Sequence, residues 1–166
     1  MNKLIVTTSW DDGHKLDLKL AHLLDKYNIK GTFYIPKNFT KKPLNENDIK
    51  EIAKRHEIGA HSLNHTELDT IDLKNAEEEI KGSKIYLENI IDYEVKMFCY
   101  PRGKFNNAVK GMVRASGFIG ARTTQKFCIE KPIDFYEFGT SLHIYPFPFR
   151  KKNARSYLTN RYLFEP

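Results

Sequence analysis

The sequence predicts an α/β chain with parallel strands, on three observations. Apolar, β-branched runs alternate four times with segments whose apolar residues recur every three or four positions. The most chemically capable polar residues fall at the ends of those runs. The 166 residues, 40% hydrophobic and without internal repeat, linker or low-complexity stretch, suit one globular domain. Such alternation is the pattern of right-handed βαβ units around a parallel sheet or barrel, where chemistry collects at the carboxyl ends of the strands.

Leu4 to Trp10 is apolar and β-branched and stops at Asp11-Asp12-Gly13, which predicts a buried strand and a turn. Leu16, Leu20, Leu23, Leu24 and Tyr27 then recur with helical spacing, giving an amphipathic helix that ends before Gly31. Thr32 to Ile35 is a strand closed by Pro36; Asn47-Asp48 caps a helix through Arg55; Glu57 to His61 is a short strand. Asp72 opens a long helix to about Asp92, with Ala76, Ile80, Leu87 and Ile91 as its apolar face. Val95 to Tyr100 is a strand, Asn106-Asn107 caps a helix carrying Val109, Met112 and Val113, and Phe118 to Arg122 and part of Tyr136 to Tyr145 are strands.

Charge and composition exclude several classes. The chain carries 27 basic and 21 acidic side chains, a net charge of +6, and from Arg150 onward five basic residues stand against one acidic, so most of the excess sits in that tail. No reading helix or stacking platform accompanies it, so no nucleic-acid partner is expected. No apolar run approaches the ~20 residues that cross a bilayer, and no signal-peptide core is present, which predicts a cytoplasmic protein without a membrane partner. Cys99 and Cys128 are too few for a disulfide framework and read as small apolar residues in a reducing compartment.

Three strand ends carry groups that packing explains poorly. Asp11 and Asp12 point to alternate sides of an extended chain, so one can ligate while the other accepts a proton; the plain alternative is an Asx turn capping the next helix. His61 and His65 can face the same way if the chain makes one helical turn after the strand, and with Asp12 they form a two-histidine, one-carboxylate set suited to zinc, and equally to iron, cobalt or manganese. Phe98-Cys99-Tyr100-Pro101-Arg102-Gly103 enters a Pro/Gly turn that can aim backbone N–H groups at a developing oxyanion. His14, His22 and His56 are expected on helical or turn surfaces as ordinary solvated histidines. The aromatics Tyr136, Phe138, Tyr145, Phe147 and Phe149, interleaved with Pro146 and Pro148, form either a sugar-stacking wall or core with a Pro-stiffened loop.

Taken in order, Thr8-Ser9-Trp10-Asp11-Asp12-Gly13, His61-Ser62-Leu63-Asn64-His65 and Phe98-Cys99-Tyr100-Pro101-Arg102-Gly103 resemble the first three motifs of the polysaccharide deacetylase family, the NodB-homology carbohydrate esterases of family 4. The resemblance covers about residues 4 to 124. It implies a distorted or incomplete (β/α) barrel with parallel strands and a divalent metal, most often Zn2+ with Co2+, Mn2+ or Fe2+ as alternatives. The implied reaction removes an N-acetyl group from an amino sugar, or cleaves a related amide, by metal-activated water. By the same resemblance Asp11 matches the catalytic base, Asp12, His61 and His65 the metal triad, and the backbone N–H of Arg102 the oxyanion donor. His143, in Ser141-Leu142-His143-Ile144, is the candidate for the acid that protonates the leaving amine.

This chain departs from the family pattern at three points. Many members carry an arginine where Cys99 stands, which orients the catalytic aspartate; Arg102 and Arg122 are the candidates to replace it. The family's Asp-x-x-Asp-Trp motif is missing, and 166 residues is short for a full deacetylase barrel. The expected organisation is a catalytic domain over 1–149 and a basic tail over 150–166, or a shortened end of the same domain. The alternatives to an active sugar deacetylase are a weakened metal- and carbohydrate-binding homologue and a deacylase of a small non-sugar amide. The sequence leaves the oligomeric state open.

Overall fold

The computed structural model describes residues 5–143. Its strands are β1 (Thr8–Asp11), β2 (Gly31–Ile35), β3 (Glu57–Ala60), β4 (Met97–Cys99), β5 (Gly120–Lys126) and β6 (Phe138–Thr140). Helices α1 (Leu16–Lys26), α2 (Glu46–Ala53), α3 (Leu73–Ile91) and α4 (Asn107–Ala115) alternate with the first five. All neighbouring strands pair parallel, in the order β1-β2-β3-β4-β5-β6. Strand order that follows chain order, without a reversal, is the winding of a (β/α) barrel rather than of a doubly wound sheet.

The sheet is strongly curled. Strands lie ~4.8 Å apart, so a flat sheet would hold β1 and β5, four places apart, ~19 Å from each other. Yet the Arg122 guanidinium on β5 donates directly to the Asp11 carboxylate on β1. The six strands therefore form a partial barrel whose concave face gathers residues from both ends of the sheet.

Strand alternation divides the two faces. Phe33 and Ile35 on β2 and Phe98 on β4 join the core with Ile49, Ile52, Ala76, Ile80, Leu87, Val109 and Val113 from the helices. Tyr34 and Cys99, between or beside them, are buried outside that cluster, on the face where Arg122 lies. Truncating Phe98, fully buried against Tyr100 and Phe118, is expected to cost about 3–5 kcal/mol, read as the free energy of denaturant unfolding of Phe98→Ala.

Several boundaries differ from the sequence reading. The first strand begins at Thr8, not Leu4, and Ile5 and Val6 are exposed rather than buried, because the pairing with β2 starts at Thr8 opposite Gly31 and nothing precedes Gly31 on that strand. Leu4 lies outside the described residues. In α1 the buried residues are Ala21 and Leu24, with Leu18 and Leu20 against the core; Leu16, Leu23 and Tyr27 are exposed, so the buried stripe runs through Ala21 and not through Leu16, Leu23 and Tyr27. Asn45, not Asn47-Asp48, caps α2: its side chain accepts from the Asp48 N–H at 2.9 Å while Asp48 accepts from the Asn45 N–H at 2.8 Å, a reciprocal capping box.

In α3 Ile90 rather than Ile91 is buried, and the caps by Asp72 and Asn106 stand as read. β5 runs on to Lys126, and β6 is confined to Phe138–Thr140. His56 is a correction of kind. It is buried, accepts from the Gly31 N–H at 3.2 Å, and its other nitrogen meets the Ala21 carbonyl at 3.2 Å, tying β2, α1 and β3 together. Among the described residues no helix is long and apolar enough to cross a membrane. Tyr145, Phe147 and Phe149, and the basic tail, lie outside the described residues.

Candidate active site

The end of β1 supplies two carboxylates that leave the strand in different directions. Asp12 has φ 80 and Gly13 φ 60, so the chain turns sharply in the left-handed region. Gly13 is needed there, because a Cβ would meet the Ile35 side chain at 2.9 Å besides the strained φ. Asp12 points toward the histidines: its Oδ1 lies 3.8 Å from His61 Nε2 and 3.4 Å from His65 Nε2. Asp11 points across the barrel to Arg122.

His61 and His65 do converge, but not through a helical turn. Ser62 and His65 adopt φ 59 and 54, and these two left-handed residues fold the loop back so that the rings meet edge to face at 4.7 Å. The loop is held from α3: Glu79, unnoticed in the sequence, accepts from the N–H groups of Leu63 and Asn64, each at 2.9 Å. The Asn38 N–H donates to the Leu63 carbonyl at 2.8 Å, and Phe39 stacks on the His65 ring at 3.9 Å. The signal for Glu79 was its helical position beside the buried Ile80. Glu79→Ala is expected to weaken Zn2+ binding about tenfold, measured by competition titration, because two of the N–H groups that shape the loop lose their acceptor.

His61 is 2% exposed, and burial pushes its imidazole down to about 4 despite the nearby Asp11 and the Cys99 carbonyl. It is therefore neutral. Nδ1 lies 2.7 Å from the Cys99 carbonyl, which makes Nδ1 the N–H donor and turns the lone pair of Nε2 toward Asp12. His65 is also held below its usual value, by burial and in spite of Asp12. Burial raises Asp12, with His65 opposing. The ligating atoms of Asp12, His61 and His65 all lie within 4.8 Å of one another. Tetrahedral ligands ~2.1 Å from an ion are ~3.4 Å apart, so these neutral imidazoles and one carboxylate fit a divalent cation with little movement.

Of the two arginines that the sequence offered as partners of Asp11, the structure brings in Arg122. Its Nη2 donates to Asp11 Oδ2, whereas Asp11 Oδ1 is buried without a hydrogen-bond partner among the described residues. Arg102 instead pairs with Glu67 at 3.2 Å and is largely exposed. Its backbone, at φ 54, forms the turn after β4, and Gly103 follows at φ 71, where a Cβ would strike Thr124 at 2.2 Å. His143 lies near enough for Lys126, Arg122 and Asp11 to act on it; burial is the main cause of its lowered value.

Asp17, on the first turn of α1, has one buried oxygen without a partner among the described residues, and burial raises its carboxyl to about 7. Folding thus retains a proton that the unfolded chain releases near the usual carboxylate value, so this group reduces stability as pH rises from about 4 to about 7. Asp17→Asn is expected to leave Tm unchanged at pH 4 and to raise stability at pH 8 by about 1–2 kcal/mol, after allowance for partial exposure. Thermal unfolding at the two pH values reads this out.

The family model for polysaccharide deacetylase matches residues 1–120. Among curated proteins, YlxY of Bacillus subtilis is 30% identical over 110 residues, which span 66% of this chain and 33% of that protein. YxkH of the same organism is 28% identical over 124 residues, 72% of this chain and 44% of the relative. The matches thus span a third to under a half of these relatives. Among solved structures, BC0361, a polysaccharide deacetylase from Bacillus cereus, is 25% identical with TM-score 0.69, covering 80% of this chain and 45% of that one. Strand order, curl and motif placement agree with the family match, and this chain belongs to the polysaccharide deacetylase family.

Proposed function

We propose that the protein is a metal-dependent hydrolase that removes an N-acetyl group from an amino sugar or oligosaccharide. The observation that carries this reading is the pairing of a ligand set, Asp12, His61 and His65, with an adjacent carboxylate, Asp11, that is kept out of it and has one oxygen unpartnered among the described residues. A divalent ion held by that set, zinc or alternatively cobalt, manganese or iron(II), supplies positive charge to polarise the amide carbonyl and to acidify water.

The chain's own groups account for the proton movements. Asp11 Oδ1 takes the proton of the attacking water as the new C–O bond forms. A backbone N–H of the turn at Arg102 donates to the carbonyl oxygen as it gains charge. His143 gives a proton to the nitrogen as the C–N bond breaks, releasing the free amine and acetate; an imidazole of lowered pKa is the stronger acid once charged. Phe39, half-exposed and stacked on His65, offers an aromatic face beside the site on which a sugar ring can lie.

The weakened-homologue reading rests on Cys99 standing where an orienting arginine is usual, on the missing Asp-x-x-Asp-Trp motif and on the role of His143, and the contact of Arg122 with Asp11 bears on the first of these alone. The test is acetate release by zinc-loaded protein from a panel of N-acetylglucosamine oligomers and simple acetamides. Release from the sugars is the expected result; sugar binding without acetate from any substrate would favour the weakened homologue.

A further inference from the structure

His61 belongs to two overlapping groups of ligating side chains. One is the set with Asp12 and His65; the other joins it to Asp11 and Cys99, whose ligand atoms also lie within 4.8 Å of one another. The second group offers a sulfur, an imidazole and a carboxylate, which by donor chemistry alone suits a borderline-soft ion such as zinc at least as well as the first. An ion settled there would consume Asp11 as a ligand and leave no free carboxylate beside it.

A guanidinium stands against two members of the second group. Arg122 Nη2 donates both to Asp11 Oδ2 and to Cys99 Sγ, the latter at 3.3 Å. Its placement is fixed from several strands: Nη1 donates to Thr140 Oγ1 on β6 at 3.3 Å and to the Thr123 carbonyl at 3.4 Å, and the guanidinium lies over the Tyr34 ring of β2 at 5.2 Å. It is 8% exposed, so its charge acts with little screening. A second cation bound to the same two side chains would meet that charge at close range. Cys99 is fully buried, and burial first, with Asp11 adding to it, holds its thiol protonated.

We propose that Arg122 fills the Asp11–His61–Cys99 group with its own charge, so that a divalent ion is held by Asp12, His61 and His65 and not by the sulfur-containing group. The proposal concerns where an ion binds; only its activity readout rests on the hydrolase reading above.

The test uses Arg122→Met, which keeps much of the side-chain volume and removes the charge, loaded with Co2+. Wild-type protein is expected to give a cobalt spectrum without sulfur character. Arg122→Met gains a near-ultraviolet sulfur-to-cobalt charge-transfer band, as Cys99 releases its proton to solvent and coordinates, and the band vanishes in Arg122→Met/Cys99→Ser. In acetate release, compared per folded protein, Arg122→Met lowers kcat about 10²-fold, because an ion held by the second group takes Asp11 as a ligand. Cys99→Arg combined with Arg122→Met returns a guanidinium to the same place from β4 and recovers about a tenth or more of kcat. Arg122→Gln, which also removes the charge, shows the same changes and serves if the Met variant fails to fold, whereas Arg122→Lys keeps a charge there and keeps the cobalt spectrum without sulfur character. A cobalt spectrum without sulfur character in the charge-removed variant, or an unchanged kcat, overturns the proposal. A sulfur band in that variant with no acetate release from wild type overturns the hydrolase reading instead and leaves the separation of the two ligand groups standing.

Discussion

Asp11→Asn is expected to lower kcat for acetate release by about 10³-fold while bound zinc stays at one per chain. The amide keeps the shape of the carboxylate and can still accept from Arg122, so the residue stays in place. It cannot take a proton from water, and that is the whole of the expected loss. Because Asp11 lies outside the Asp12–His61–His65 set, metal content by elemental analysis should not follow activity. Replacing a carboxylate that faces a buried guanidinium weakens a charge-assisted hydrogen bond, so stability should fall by about 1–3 kcal/mol, and kcat must be compared on folded protein. Loss of zinc in parallel with activity would show that Asp11 is itself a ligand.

His61→Ala carries the other large effect, and it is a double one. His61 is the most deeply placed of the three ligand residues, at 2% exposure, and links the ion site to β4 through the Cys99 carbonyl at 2.7 Å. Removing it takes away a ligand, leaves a cavity and strands that carbonyl. Zinc affinity should fall by more than about 10²-fold, beyond what loss of a supporting partner costs, and the metal-free protein should lose about 2–3 kcal/mol in denaturant unfolding. His65→Ala should show the first effect with much less of the second, since His65 sits on a loop under Phe39 rather than at the heart of the barrel. Full zinc affinity in His61→Ala would contradict the assignment of the ligand set.

The parts of this molecule that the sequence exposes are those governed by local periodicity. Asp72 and Asn106 announce their helices because a capping side chain and the N–H groups it satisfies are only three residues apart. Thr32 to Ile35 reads as a strand because it is buried on both faces. Asp12, His61 and His65 are legible as a set because Asp12 and His61 follow directly on strands, His65 lies four residues beyond His61, and parallel strands bring their carboxyl ends to one edge.

What escaped depends on long-range placement. The start of β1 is decided by where β2 begins, 23 residues later, and not by the apolar run at Ile5 and Val6. Arg122 and Asp11 are 111 positions apart and on strands that are not neighbours, so only the curl of the sheet brings them together. His56 looked like a surface residue because its neighbours Lys54, Arg55 and Glu57 are polar; the turn between α2 and β3 directs it inward alone. Glu79 was hidden in a run of three glutamates, of which the helical rotation turns just this one toward the histidine loop.

The central claim is that Asp12, His61 and His65 hold a divalent ion on which hydrolysis of an N-acetyl amide depends. It is tested most directly by measuring acetate released from an N-acetylglucosamine oligomer by chelator-stripped protein, before and after one equivalent of Zn2+ is returned, with Asp12→Ala treated in the same way. The expected result is release only after zinc is returned, and none from Asp12→Ala at any zinc level that the wild type needs. Acetate release by the stripped protein at the rate of the reloaded one, or normal zinc-dependent release by Asp12→Ala, would contradict it.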